Sequence, residues 1–163
     1  MVNKPKKIGT QTEVDCVNYL HANGFPLAER LVQKGKDDEG DVRVIRGHVH
    51  LELKGGKAAE TASDAQILKW IEETERERCK ANVHHAFLVT KRAGYGSKRV
   101  GMWWAHTQLV KLLMLYGIDF APIMHEGDPV HIANGFYAPM KMTLDDLLRH
   151  LKAAGYGTNN KGN

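Results

Sequence analysis

Cysteines and long apolar runs are both scarce in this 163-residue chain, and each scarcity narrows what it can be. The two cysteines, Cys16 and Cys79, lack any CxxC spacing, which argues against a disulfide framework and against a thiolate zinc site. Both fall in helical patterns and are expected to be reduced, buried thiols. No stretch approaches the ~18 apolar residues of a membrane span. The basic N-terminus, residues 1–7, is not followed by the apolar run of a secretory signal. A cytoplasmic protein without membrane contact is the expectation. No internal repeat or linker composition divides the chain. One domain over residues 1–163 is therefore expected, with a core over 9–105, an extension over 106–154 and a loose tail over 155–163.

Positive charge, by contrast, is in excess. Lys and Arg outnumber Asp and Glu by 23 to 19, for a net charge of +4, which favours a polyanionic partner through counterion release.

Periodicity divides the chain into alternating helices and strands. A first helix is expected over 11–22, with Thr10 as N-cap, Val14, Val17 and Leu20 inward, and Asn23-Gly24 as its stop. A strand over 27–33 and a polar loop over 34–40 follow. Two short alternating runs, 41–45 and 48–54, flank Arg46-Gly47 and read as a β-hairpin. A long helix over 63–80 opens with a Ser63/Gln66 capping box, turns Ile67, Trp70, Ile71 and Thr74 inward, and carries the Glu/Arg-rich run 72–78 outward. Strands over 85–90 and 100–105 bracket a basic, glycine-bearing loop. An apolar helix over 109–116 follows, suited to deep burial or to a subunit interface. Leu144, Leu147, Leu148 and Leu151 mark a last helix that Thr143 caps and Gly155 ends. The stretch 119–142 carries no clear pattern.

The hairpin concentrates the chemistry. With Arg46-Gly47 as the turn, Val44 faces Val49, Val42 faces Leu51, and Asp41 faces Glu52. Val42, Val44, Val49, Leu51 and Leu53 then share one face, and Asp41, Arg43, His48, His50, Glu52 and Lys54 the other; only Ile45 breaks the division. Two carboxylates directly across a strand pair repel. A divalent cation relieves that repulsion, and Lys54 on the same face suits a phosphate. An exposed ion-pair set on a solvated sheet face would use the same residue types.

Gly40-Asp41 followed by Glu52-Leu53-Lys54, with Glu13 on the preceding helix, resembles the PD-(D/E)XK nuclease superfamily, in particular Holliday junction resolvases of archaeal and phage type. The resemblance covers roughly 9–91 and departs from the motif at Gly40, which stands where the family name has proline. It implies an α/β fold with a restriction-endonuclease-like αβββαβ core, a mixed central sheet flanked by helices, and here a helical C-terminal extension. It further implies Mg²⁺-dependent hydrolysis of DNA phosphodiesters, with Mn²⁺ able to substitute. Asp41 and Glu52 would be metal ligands, Lys54 the catalytic lysine and Glu13 a further acidic ligand, although Glu13 also completes a Thr10-x-x-Glu13 capping box. Gln66 would neighbour the site or serve only its own capping box. The implied partners are four-way-junction DNA and a second copy of the chain, since paired incisions call for two-fold symmetry. The implied location extends to a host cytoplasm for a phage-encoded chain. A duplex-cutting restriction or repair enzyme and a non-catalytic nucleic-acid-binding module remain alternatives.

Lys36, Arg43, Lys57, Lys91, Arg92, Lys98 and Arg99 are the expected DNA contacts, the last four spaced around Gly94-Tyr95-Gly96 in a flexible loop. Nine histidines lack the ligand spacing of structural zinc sites. Trp103 and Trp104 are expected to point one into the core and one to the surface.

Overall fold

The computed structural model describes residues 4–31, 41–118 and 137–158. Helix α1 (Lys4–Ala22) leads into β1 (Glu29–Arg30), β2 (Val42–Ile45) and β3 (Val49–Lys54). A short α2 (Gly56–Glu60) and the long α3 (Asp64–Ala81) precede β4 (His85–Thr90). A 3-10 helix (Ser97–Met102), β5 (Trp104–Gln108), α4 (Leu109–Leu115), β6 (Pro139–Thr143) and α5 (Leu144–Ala153) complete the order. The described strands form one mixed six-stranded sheet in sequential order. Among them only β3 and β4 run parallel, because α3 carries the chain back across the sheet between them. Among the described residues, no helix is long and apolar enough to cross a membrane.

The two faces of the sheet differ in chemistry. Val42, Val44, Val49, Leu51, Leu53, Phe87, Val89 and Ala105 form one continuous core with Cys16 and Leu20 of α1 and with Leu144, Leu147, Leu148 and Leu151 of α5. Each of those α5 leucines is at most 2% exposed, as its spacing and the Thr143 cap foretold; Thr143 Oγ1 accepts from the Asp146 N–H at 3.1 Å. The opposite face lies under α3 and buries polar groups instead: His50, Glu52, Thr90 and His106 from the sheet and Thr74 from the helix.

Several sequence expectations need correction. Helix α1 begins at Lys4, so Thr10 lies inside it and no capping box with Glu13 forms; its buried stripe is Thr12, Cys16 and Leu20, spaced i, i+4, i+8. The strand expected over 27–33 is described only as Glu29–Arg30, both exposed. The loop over 34–40, Lys36 included, lies outside the described residues, as does most of the unassigned stretch. Residues 100–102 are helical rather than extended, because the buried pair Val100 and Trp103 is spaced by three, and the strand follows it. Gly101 belongs to that turn: an added Cβ would collide with the Tyr19 hydroxyl. The basic loop is pinned rather than flexible, since Trp103 Nε1 donates to the Tyr95 carbonyl at 2.7 Å. The tail is not loose at its start either, for the Thr158 N–H donates to the Gly24 carbonyl at 2.8 Å. Cys79 is exposed, whereas Cys16 is buried and its thiol is pushed up to about 12 by burial and then by Asp41 and Asp15. Trp103 is fully buried and Trp104 half-buried, as expected.

Candidate active site

The hairpin register holds where the chemistry sits. Val42 pairs with Leu51 and Arg43 with His50, as the alternation requires. Nearer the turn a bulge sets Ile45, not Val44, opposite Val49. The bulge lets Ile45 pack on the core, which accounts for the one apolar residue that the alternation left on the wrong face. Gly47 takes a φ of +73° in the turn, where any other residue would be strained.

Asp41 stands at the mouth of β2 and pairs through its side chain. Its N–H donates to the Leu51 carbonyl at 3.2 Å, while its Oδ2 accepts from the Leu53 N–H at 2.7 Å. The carboxylate thus replaces a carbonyl in the ladder, which orients it beside Glu52.

Glu52 lies in a central strand under a helix, so the exposed ion-pair reading fails: Glu52 is 6% exposed. Its Oε1 accepts from Lys54 Nζ at 2.5 Å. Its Oε2 is buried and has no hydrogen-bond donor among the described residues, an expensive arrangement for a carboxylate unless a proton or a cation joins it. Burial, then the charge of Glu52, pushes Asp41 up to about 7; burial, opposed by Lys54 and reinforced by Glu77, does the same for Glu52. Lys54 moves the other way from what burial alone dictates, its ammonium held by Glu52, Asp41 and Glu77.

Glu77 of α3 is the residue that the sequence reading missed. The run 72–78 is expected on the outer face, yet Glu77 continues the inward stripe of Ile67, Trp70, Ile71 and Thr74 by one more step of three. Its carboxyl approaches that of Glu52 closely enough to raise it, and its Oε2 is shielded from solvent.

No family model, curated protein or solved structure matches the chain.

The donor set fits a hard divalent cation. Half-buried Asp41 and buried Glu52 offer carboxylate oxygens side by side, the charge of Glu52 raising Asp41 and that of Glu77 raising Glu52. Among the described residues no group of three or more His, Cys, Asp or Glu side chains is placed to hold a metal ion. Glu13 is instead held by Arg30, whose Nε and Nη2 both donate to Glu13 Oε2, at 2.8 and 2.5 Å. From there Glu13 still contributes to raising Asp41. Gln66 serves the helix start, its N–H donating to Ser63 Oγ at 3.2 Å. No side-chain hydrogen bond joins it to Asp41, Glu52 or Lys54 among the described residues.

The expected cationic contacts separate into two groups. Arg43 Nη1 donates to Glu29 Oε1 at 2.6 Å, on the hairpin. Lys57 is exposed on α2, just beyond Lys54. Lys91 follows β4 directly, its N–H donating to the Lys54 carbonyl at 2.9 Å. Arg92 lies over both Tyr95 and Trp104, with its guanidinium carbon 4.4 and 4.0 Å from the ring centres. Arg99 covers Tyr95 at 4.3 Å, and Lys98 is exposed beside it.

Proposed function

We propose that the protein is a metal-dependent DNA endonuclease of the PD-(D/E)XK type that cuts branched DNA, as Holliday junction resolvases do. One observation carries the reading: a buried glutamate, with an oxygen that no donor satisfies among the described residues, stands in the middle of a central strand, faces an aspartate and holds a half-buried lysine. Nothing in folding requires such a cluster, since apolar residues at those positions would be more stable. The order helix, three antiparallel strands, helix, parallel strand supports a restriction-endonuclease-like core.

Asp41 and Glu52 would hold Mg²⁺ or Mn²⁺, which supplies Lewis acidity toward a phosphate and acidifies a water. Lys54 is placed to bind a non-bridging oxygen and to stabilise the negative charge that builds on phosphorus. Glu52 Oε1 keeps the Lys54 ammonium aimed into the site, and Leu53 N–H keeps Asp41 in line with it. Water adds to phosphorus, the bond to the 3′ oxygen breaks, and that oxygen leaves as a hydroxyl. The cations from Lys91 to Arg99 lie at the same end of the sheet as Lys54, where they would grip the phosphates on either side. A two-fold dimer would supply the matched pair of sites that junction resolution needs.

The test uses a synthetic four-way junction and a linear duplex of the same sequence, each incubated with Mg²⁺ or with EDTA. Symmetric cutting of the junction with Mg²⁺ alone is the expected result. Equal cutting of the duplex would make it a duplex endonuclease, and binding without cutting would make it a binding module.

A further inference from the structure

The sheet face that carries Glu52 and Lys54 continues across β4, β5 and β6 as two rows. One row runs Lys54, Thr90, Trp104, Thr143; the next runs Glu52, Leu88, His106, Lys141. Directly paired residues share a face, so Trp104 and His106 stand on the same side as the candidate active site. Adjacent strands lie ~4.8 Å apart, which puts Trp104 two strands, or ~10 Å, from Lys54.

Between these rows and the first half of α3 lies a cavity of about 460 Å³. Trp104, Ile67, Leu68 and Ile71 wall it, and Thr90 and His106 form a polar floor, bonded to one another at 2.9 Å. Its volume is that of a small-molecule site. Lys141 stands at its edge, with its ammonium 4.8 Å from the Trp104 ring centre. Arg92 shares that ring, and Tyr95 and Arg99 extend the stack outward. Cations and rings alternate in the order Lys141, Trp104, Arg92, Tyr95, Arg99. Glu60 and Asp64 close the rim on the α2–α3 side, where they would repel a phosphate.

We propose that this cavity receives one unpaired DNA base, stacked on Trp104, from the strand whose phosphate lies at Lys54, an assignment that rests on the nuclease reading of Asp41, Glu52 and Lys54. A planar ring with polar edges matches apolar walls around a polar floor. The backbone that carries it would be held by Arg92 and Lys141, and the acidic rim directs that backbone along the sheet toward Lys54. Base stacking on an indole outweighs an exposed cation over the same ring, so an entering base takes that position and leaves the cation to the phosphate. A paired base cannot enter, because its ring is enclosed by its neighbours in the duplex. The cavity thereby selects branched or frayed DNA over continuous duplex.

Binding is measured in EDTA, so that cleavage plays no part, with oligothymidylate and a blunt duplex as probes. Trp104→Ala should weaken oligothymidylate binding about tenfold or more and leave duplex binding within about twofold, while Trp104→Phe retains most of the affinity. Equal losses on both probes, or none, would overturn the assignment. Should Trp104→Ala fail to fold, the unmodified chain decides: an oligonucleotide carrying 5-bromodeoxyuridine should photocrosslink to Trp104, and crosslinks confined to other residues refute the cavity. Preserved Trp104-dependent binding in a chain that never cuts DNA would sink the nuclease reading and leave the base site standing.

Discussion

Replacing Glu52 by glutamine should make the metal-free protein more stable at pH 8 and less dependent on pH. In the unfolded chain Asp41 and Glu52 titrate near their ordinary values of 3.8 and 4.5; in the fold burial pushes both up to about 7, with the charge of Glu52 adding to it at Asp41 and that of Glu77 at Glu52. The folded state therefore binds the proton more tightly. Between pH 4 and 7 stability falls as pH rises, and above 7 the full cost of the ionised pair remains. Moving one carboxyl from 3.8 to about 7 corresponds to ~4 kcal/mol at alkaline pH. The two carboxyls titrate as a linked pair, so one proton, not two, is counted. About 2.7 kcal/mol of stability is lost between pH 5 and pH 8, so at ~2–4 °C per kcal/mol for a domain of this size the melting temperature should drop by ~5–10 °C over that range in EDTA. Glu52→Gln removes one charge of the pair and should flatten that slope, while Mg²⁺ should restore the wild-type protein at pH 8 and act only weakly at pH 5. Thermal melts across that range provide the assay. Parallel slopes for wild type and Glu52→Gln would show that the carboxylates are neither strained nor coupled, and the reasoning would fail with them.

Three further outcomes are expected. Glu52→Gln and Lys54→Ala should each abolish Mg²⁺-dependent cutting of a four-way junction while leaving junction affinity in gel shifts nearly unchanged, and Asp41→Asn should bind DNA slightly more tightly in EDTA because one repelling charge is gone. Gly101→Ala should cost ~1–3 kcal/mol in urea denaturation, since its Cβ would meet the Tyr19 hydroxyl; full stability would disprove that close approach. A thiol reagent should modify Cys79 rapidly and Cys16 only on unfolding, given one exposed and one buried sulfur, so fast labelling of both refutes the packing of α1 on the sheet.

The alternation around Arg46-Gly47 determined which residues of the hairpin share a face, because strand geometry has a period of two and only one register keeps the apolar side chains together. The α5 leucines and the two capping residues Ser63 and Thr143 were legible for the same local reason: helix periodicity and caps depend on residues within one turn. Glu13 and Glu77 were not legible, since their partners lie far away in sequence. Arg30 takes Glu13 across the β1 edge, and α3 crossing the sheet sets Glu77 against Glu52. Nor did local sequence show that β3 is covered on both faces. That depends on the parallel pairing with β4, which turned Asp41, Glu52 and Lys54 from a solvated row into a cluster with Glu52 buried at its centre. Short-range sequence thus determined the side chains' directions, and tertiary packing decided their environment, because desolvation and charge coupling arise only when distant segments meet.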